Sequence, residues 1–194
     1  VVLTNRSLAG CWFELHRQGG CGAGEIKLVD PFPLRHELLP GDWISLESAP
    51  GIRCYLGRIE ELRAESPAGM RLRLEGMGIE LNEIFPGGFG LQADGKSPHR
   101  YAATDLFPFD PDRGEETVDA VQNVEELLRL LLTQYSGSGT HFQYVPSRIE
   151  TPLAAAPISS LKFRGEETLR TIIKDLAVRA QGAAWGVDAA GECF

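Results

Sequence analysis

Between residues 11 and 92 the chain runs as short apolar–polar alternations cut by glycine and proline. Met70-Arg71-Leu72-Arg73-Leu74-Glu75-Gly76 alternates without a break, with Met70, Leu72 and Leu74 on one face and Arg71, Arg73 and Glu75 on the other. Successive strand side chains point to opposite sides of a sheet, so this period predicts a half-buried strand and not an amphipathic helix. Trp12, Glu14 and His16 alternate with Phe13 and Leu15, and Glu25 to Val29, Trp43 to Glu47 and Arg53 to Leu62 read as further strands. In the last of these, Cys54, Leu56 or Tyr55, Ile59 and Leu62 are the apolar positions. Its Gly57 marks a bulge or a barrel corner. Gly19-Gly20-Cys21-Gly22, Pro40-Gly41-Asp42, Ala49-Pro50-Gly51 and Glu65 to Gly69 read as turns, and Ile79 to Ile84 as one short helical turn. About five antiparallel strands in ~80 residues predict a small antiparallel β-barrel or curled sheet.

The second half has a different period. Asn123-Val124-Glu125-Glu126 resembles a capping box, and Val124, Leu127, Leu128, Leu131, Leu132 and Tyr135 then recur at helical spacing. Phe142 to Val145 and Leu161 to Phe163 read as short strands. Gly165-Glu166-Glu167 suits the start of a second helix, whose face is Leu169, Ile172, Ile173, Leu176, Ala177 and Ala180, with Gly182 at a left-handed C-cap. Trp185 to Phe194 reads as strand, turn, strand. The expected fold class is α+β: a small antiparallel β-barrel domain over 1–92, a Pro/Gly-rich connector over 93–117, and an α+β domain with two main helices over 118–194. A first residue other than Met and a terminal strand that reads as truncated suggest a piece of a longer chain.

Charge excludes some partners. The net charge is −8, and no basic face is implied. Direct nucleic-acid recognition and binding to anionic membranes through phosphate neutralisation are therefore not expected. The apolar stretches fall short of the ~20 residues of a membrane span.

Ser136-Gly137-Ser138-Gly139-Thr140 lacks the lysine of a phosphate loop and follows a helix instead of a strand. The Cys21 thiol lies in a glycine-rich segment without an expected base or helix N-terminus, so a structural role is expected. Cys11, Cys21, Cys54 and Cys193 lack metal-ligand spacing, and a Cys11–Cys54 disulfide stays open. Glu60 and Glu61, adjacent on a strand, are expected on opposite faces and not as a catalytic carboxylate pair. Asp94, Asp105, Asp110 and Asp112 do not have calcium-loop spacing, and His16, His36, His99 and His141 belong to no nucleophile motif. Trp12, Trp43, Trp185, Phe89 and Tyr101 are candidates for a sugar platform, with core or subunit-interface packing as the plainer reading for the tryptophans. No catalytic, cofactor-binding or metal-binding set is assigned, and no cofactor is expected.

Three segments carry a family resemblance. Gly41-Asp42-Trp43-Ile44-Ser45-Leu46, Tyr55-Leu56-Gly57-Arg58-Ile59 and Arg71-Leu72-Arg73-Leu74-Glu75-Gly76-Met77-Gly78 are similar to the "G-D-x-V-x-L … W/Y-x-G-x-V … L-x-L-x-G-x-G" pattern of bacteriophage tail-hub and tail-tip proteins and related contractile injection system hubs. Leu161-Lys162-Phe163-Arg164-Gly165, Leu176-Ala177 and Gly182 to Asp188 resemble the "F-x-G-x-T-L … L-A … G-x-x-W-x-V-D-x-x-G" run that follows the barrel in such proteins. The resemblance implies a non-catalytic structural component of a phage or prophage tail. Its implied partners are copies of itself, in a trimer or other ring, and other tail proteins. Its implied location is the virion tail, or the bacterial cytoplasm when expressed from a prophage. The alternative is a carbohydrate-binding β-module using surface aromatics. A third reading is a fragment of a tail-tip hydrolase whose catalytic residues lie elsewhere.

Overall fold

The computed structural model describes residues 7–29, 36–66, 69–91, 98–100, 123–137, 139–149 and 161–194. The chain divides into two units: Val1–Ile79 with Gly186–Glu192, and Glu80–Trp185 with Cys193–Phe194.

The first unit is an antiparallel sheet. Its strands are β1 (Leu8–His16), β2 (Gln18–Val29), β3 (Trp43–Ala49), β4 (Ile52–Ser66) and β5 (Gly69–Gly76), in the order β1-β2-β5-β4-β3. The alternation in β5 sets the inside: Leu72 and Leu74 are fully buried and Met70 is 7% exposed. They pack with Ile26 and Leu28 of β2 and Tyr55 and Ile59 of β4. Burying one such aliphatic side chain is worth about 1.5–3 kcal/mol.

Ile59 and Leu62 are three residues apart, which a period of two would put on opposite faces. The register resolves this: Ile59 pairs with Leu74, Glu61 with Arg73 and Leu62 with Leu72, so Glu60 is an extra residue in β4. This bulge keeps both apolar side chains inward. It also turns Glu61 outward, beside Arg73. The expectation of opposite faces for Glu60 and Glu61 fails for the same reason. Glu60 bonds Arg58 and Glu61 bonds Arg63, both on the outer face.

The expected small barrel is corrected to a curled half-barrel. The edge strands β1 and β3 each pair with one neighbour, β2 and β4, and not with each other. A second correction concerns Gly19 to Gly22. They lie inside β2, and the turn falls at Arg17. Gly20 has φ +77°, and a Cβ there would overlap the backbone of Val187 in β9 (Trp185–Val187), which pairs with β2. The glycine cluster thus serves a close backbone contact.

Tyr55 packs on Phe13 at 5.3 Å between ring centroids and donates its hydroxyl to the Gly22 carbonyl at 2.9 Å. Burial holds its phenol well above the usual value, and the charges of Cys21, Glu75 and Glu14 push the same way.

In the second unit, β6 (Gly88–Leu91) lies between β7 (Pro98–Arg100) and β8 (Leu161–Arg164). Thus β7 falls within the expected 93–117 connector; 92–97 and 101–122 lie outside the described residues. Helix α1 (Val124–Tyr135) starts as expected, with the Asn123 side chain accepting the Glu126 N–H at 2.9 Å. Helix α2 (Leu169–Arg179) is capped by Thr168; past its C-cap Ala180 the first left-handed residue is Gln181 at φ +60°, and the expected Gly182 follows at φ +74°. The expected strand at 142–145 is reduced to one bridge, in which Cys193 N–H donates to the Gln143 carbonyl at 2.9 Å. Phe142 is fully buried, so its apolar side chain marks core packing instead of a pleat.

Two outcomes test this packing. A Cβ at Gly76 would overlap the Cys21 carbonyl, whereas one at Gly10 meets nothing. Gly76→Ala is therefore expected to destabilise by about 3 kcal/mol or more, and Gly10→Ala to stay within about 0.5 kcal/mol, measured by urea unfolding. Tyr55 gives a pH dependence. Above pH ~10 the unfolded chain releases the phenol proton while the folded chain retains it, so stability falls as pH rises. In Tyr55→Phe this part of the alkaline loss disappears, as read from melting temperatures between pH 8 and 11.

Candidate functional site

The outer face of the first sheet carries a lattice of charge set by strand register. Trp12 of β1 pairs with Glu25 of β2, Glu25 with Arg73 of β5, and Arg73 with Glu61 of β4. The adjacent row joins Lys27, Arg71 and Arg63. Directly opposed residues of paired strands share a face, so two sequence-distant hairpins converge on one surface. Trp12, Ala23, Gly24, Glu25, Glu61, Arg63, Arg71 and Arg73 line a cleft of about 320 Å³ there. Small-molecule pockets span roughly 300–1,000 Å³, so this one is small. Ala23, on the same face as Glu25, projects only a methyl group into the cleft, whereas a Cβ at Gly24 would point at the Tyr55 hydroxyl on the inner face.

The carboxylates are engaged. Arg63 Nε donates to Glu61 at 2.5 Å. Glu25 lies 3.5 Å from Arg71 and 3.8 Å from Lys27, and Arg71 also pairs with Glu65. Arg73, flanked in register by Glu25 and Glu61, is exposed and has no ion pair or side-chain hydrogen bond among the described residues. The Nε of Arg71 is buried without a hydrogen-bond partner among the described residues.

The aromatic candidates separate. Trp12 is 49% exposed at the cleft and outside the core. Trp43 is partly buried, with the Arg58 guanidinium 6.0 Å from its ring centroid, and Trp185 is 6% exposed. Tyr101 and the Phe89 side chain lie outside what is described.

The other sequence candidates do not converge with these residues. Cys21 is buried, and burial pushes its thiol up, only partly offset by the Leu56 backbone hydrogen bond. That opposes thiolate formation. All four cysteines are free thiols, so Cys11 and Cys54 are not bridged. Among the described residues no group of three or more His, Cys, Asp or Glu is placed to hold a metal ion. Asp94, Asp105, Asp110, Asp112 and Ser138 lie outside the described residues. No described helix is long and apolar enough to cross a membrane.

Two features escaped the sequence reading. Arg71 and Arg73 were legible as a polar face, but their meeting with Trp12 and Glu61 needs the pairing register. Glu80 is 7% exposed and accepts the N–H groups of His141 and Phe142 at 2.8 and 3.1 Å, with His141 Nδ1 at 2.5 Å. Its signal, an acid between Ile79 and Leu81, resembles any surface carboxylate in a turn.

No protein-family model matches the chain, and no curated protein matches it.

Acrylamide quenching of tryptophan fluorescence should be dominated by Trp12. In Trp12→Phe the quenching constant is expected to fall by about half, because the remaining indoles are more shielded; an unchanged constant would place Trp12 in the core.

Proposed function

We propose that this chain is a non-catalytic structural module of a phage or prophage tail hub or tip, working by packing against copies of itself and against other tail proteins. The observation that carries the reading is the open sheet. β1 is a nine-residue edge strand with Trp12 and Leu15 exposed, and β3 forms the other edge. A long edge strand presents unpaired N–H and C=O groups that a strand from another chain can take up. The barrel is open within one chain, and a neighbouring copy adding a strand at β1 or β3 would continue it around a ring. The motif residues support the same reading: the segments 41–46, 55–59 and 71–78 build one end of the sheet, where Gly57 of β4 faces Gly76 of β5. The module would act in the virion tail, or in the bacterial cytoplasm when expressed from a prophage.

Light scattering across micromolar concentrations tests it. A trimer or larger ring is expected. Leu15 is 63% exposed, so Leu15→Lys should leave the melting temperature within a few degrees and weaken association roughly tenfold or more. A monomer at every concentration rejects the proposal.

A second reading, a carbohydrate-binding β-module, is favoured by one observation: the half-exposed Trp12 ring borders the charged cleft. Indole faces stack on the apolar faces of sugar rings.

A further inference from the structure

We propose that the outer-face cleft binds an acidic saccharide, with Trp12 stacking on a sugar ring and Arg73 taking its carboxylate. This rests on and deepens the carbohydrate-binding reading and does not require self-association. Three observations converge. First, the cleft brings together an exposed indole and three guanidinium groups, Arg63, Arg71 and Arg73, against two carboxylates, Glu25 and Glu61. In a chain of net charge −8, that local excess of positive charge runs against the whole. Second, both carboxylates are committed to other partners, Glu61 to Arg63 and Glu25 to Arg71 and Lys27. Among the described residues Arg73 is paired with neither, although register sets it between them.

Third, the donors left over suit a planar anion. A guanidinium presents a rigid fork that matches a carboxylate through two parallel hydrogen bonds. Among the described residues Arg73 has no ion pair or side-chain hydrogen bond, so its fork is open to a ligand, whereas the Nε of Arg71 in the adjacent row is buried and not offered. Trp12 shares its cross-strand row with Arg73 through Glu25, so a ring lying on the indole can direct a carboxylate substituent across that row. Glu25 and Glu61 accept hydrogen bonds from sugar hydroxyls and repel a second negative charge. The site therefore fits an isolated carboxylate on a polyhydroxylated ring better than a polyanion such as nucleic acid.

Titration calorimetry with the full chain tests this, using an oligogalacturonate, its methyl ester and inorganic phosphate as probes. The oligogalacturonate is expected to bind roughly tenfold or more tightly than the ester, the scale of a hydrogen bond to a charged group. Arg73→Gln should abolish that preference while the residual affinity remains, and Trp12→Ala should weaken both ligands. If Arg73→Gln is unstable, Arg73→Lys, which keeps the charge and loses the fork, reads the same preference. Equal affinity for acid and ester overturns the acidic-ligand inference and leaves the carbohydrate reading standing. Binding of neither saccharide overturns both. Phosphate binding as tightly as the oligogalacturonate overturns the saccharide in favour of a simple anion site.

Discussion

The inward position of Leu62, beside Tyr55 and Ile59 and against Leu72 and Leu74, depends on the extra residue at Glu60. In an unbroken antiparallel ladder starting from Ile59 and Leu74, Leu62 would fall opposite Arg71 and face water. With the bulge it falls opposite Leu72, and Glu61 and Arg63 turn outward opposite Arg73 and Arg71. One backbone irregularity therefore sets both the apolar core and the charged cleft. Burial gives the driving force, since a misregistered β4 would expose leucine and bury arginine.

Close backbone contacts complete that framework. Gly76 lies against the Cys21 carbonyl and Gly20 against Val187, contacts that a side chain would prevent. The Tyr55 hydroxyl reaches the Gly22 carbonyl, joining β4 to β2 across the inner face. The two proposed roles use different parts of this sheet. Assembly uses the unpaired backbone of its edges, and ligand binding uses side chains of its outer face. Only Trp12, on an edge strand and in the cleft, belongs to both.

Much of the fold was legible because it is local. The alternation in Met70 to Gly76 specified a strand and its buried face, since period two follows from backbone geometry alone. Asn123 was legible as a helix cap because its side chain closes a bond three residues away, whereas glycine preference marked Gly182 for the end of the second helix and missed Gln181, which turns left-handed first. Gly19 to Gly22 misled for a related reason: glycine marks a tight turn and a close backbone approach alike, and only the location of Val187 distinguishes them. Phe142 to Val145 looked like a strand because apolar residues in a short run do not say whether they pair or fill a core.

The sequence by itself determined which segments become strands or helices and which side of each turns from water, because these follow from short-range periodicity and capping. Tertiary structure alone decided that the sheet stays open at β1 and β3, that Glu80 is buried beneath His141 and Phe142, and that Arg73, set in register between Glu25 and Glu61, lines one cleft with Trp12 and has no ion pair among the described residues. Each of these depends on strand register or on contacts between residues far apart in the chain, and a bulge of one residue is enough to change them.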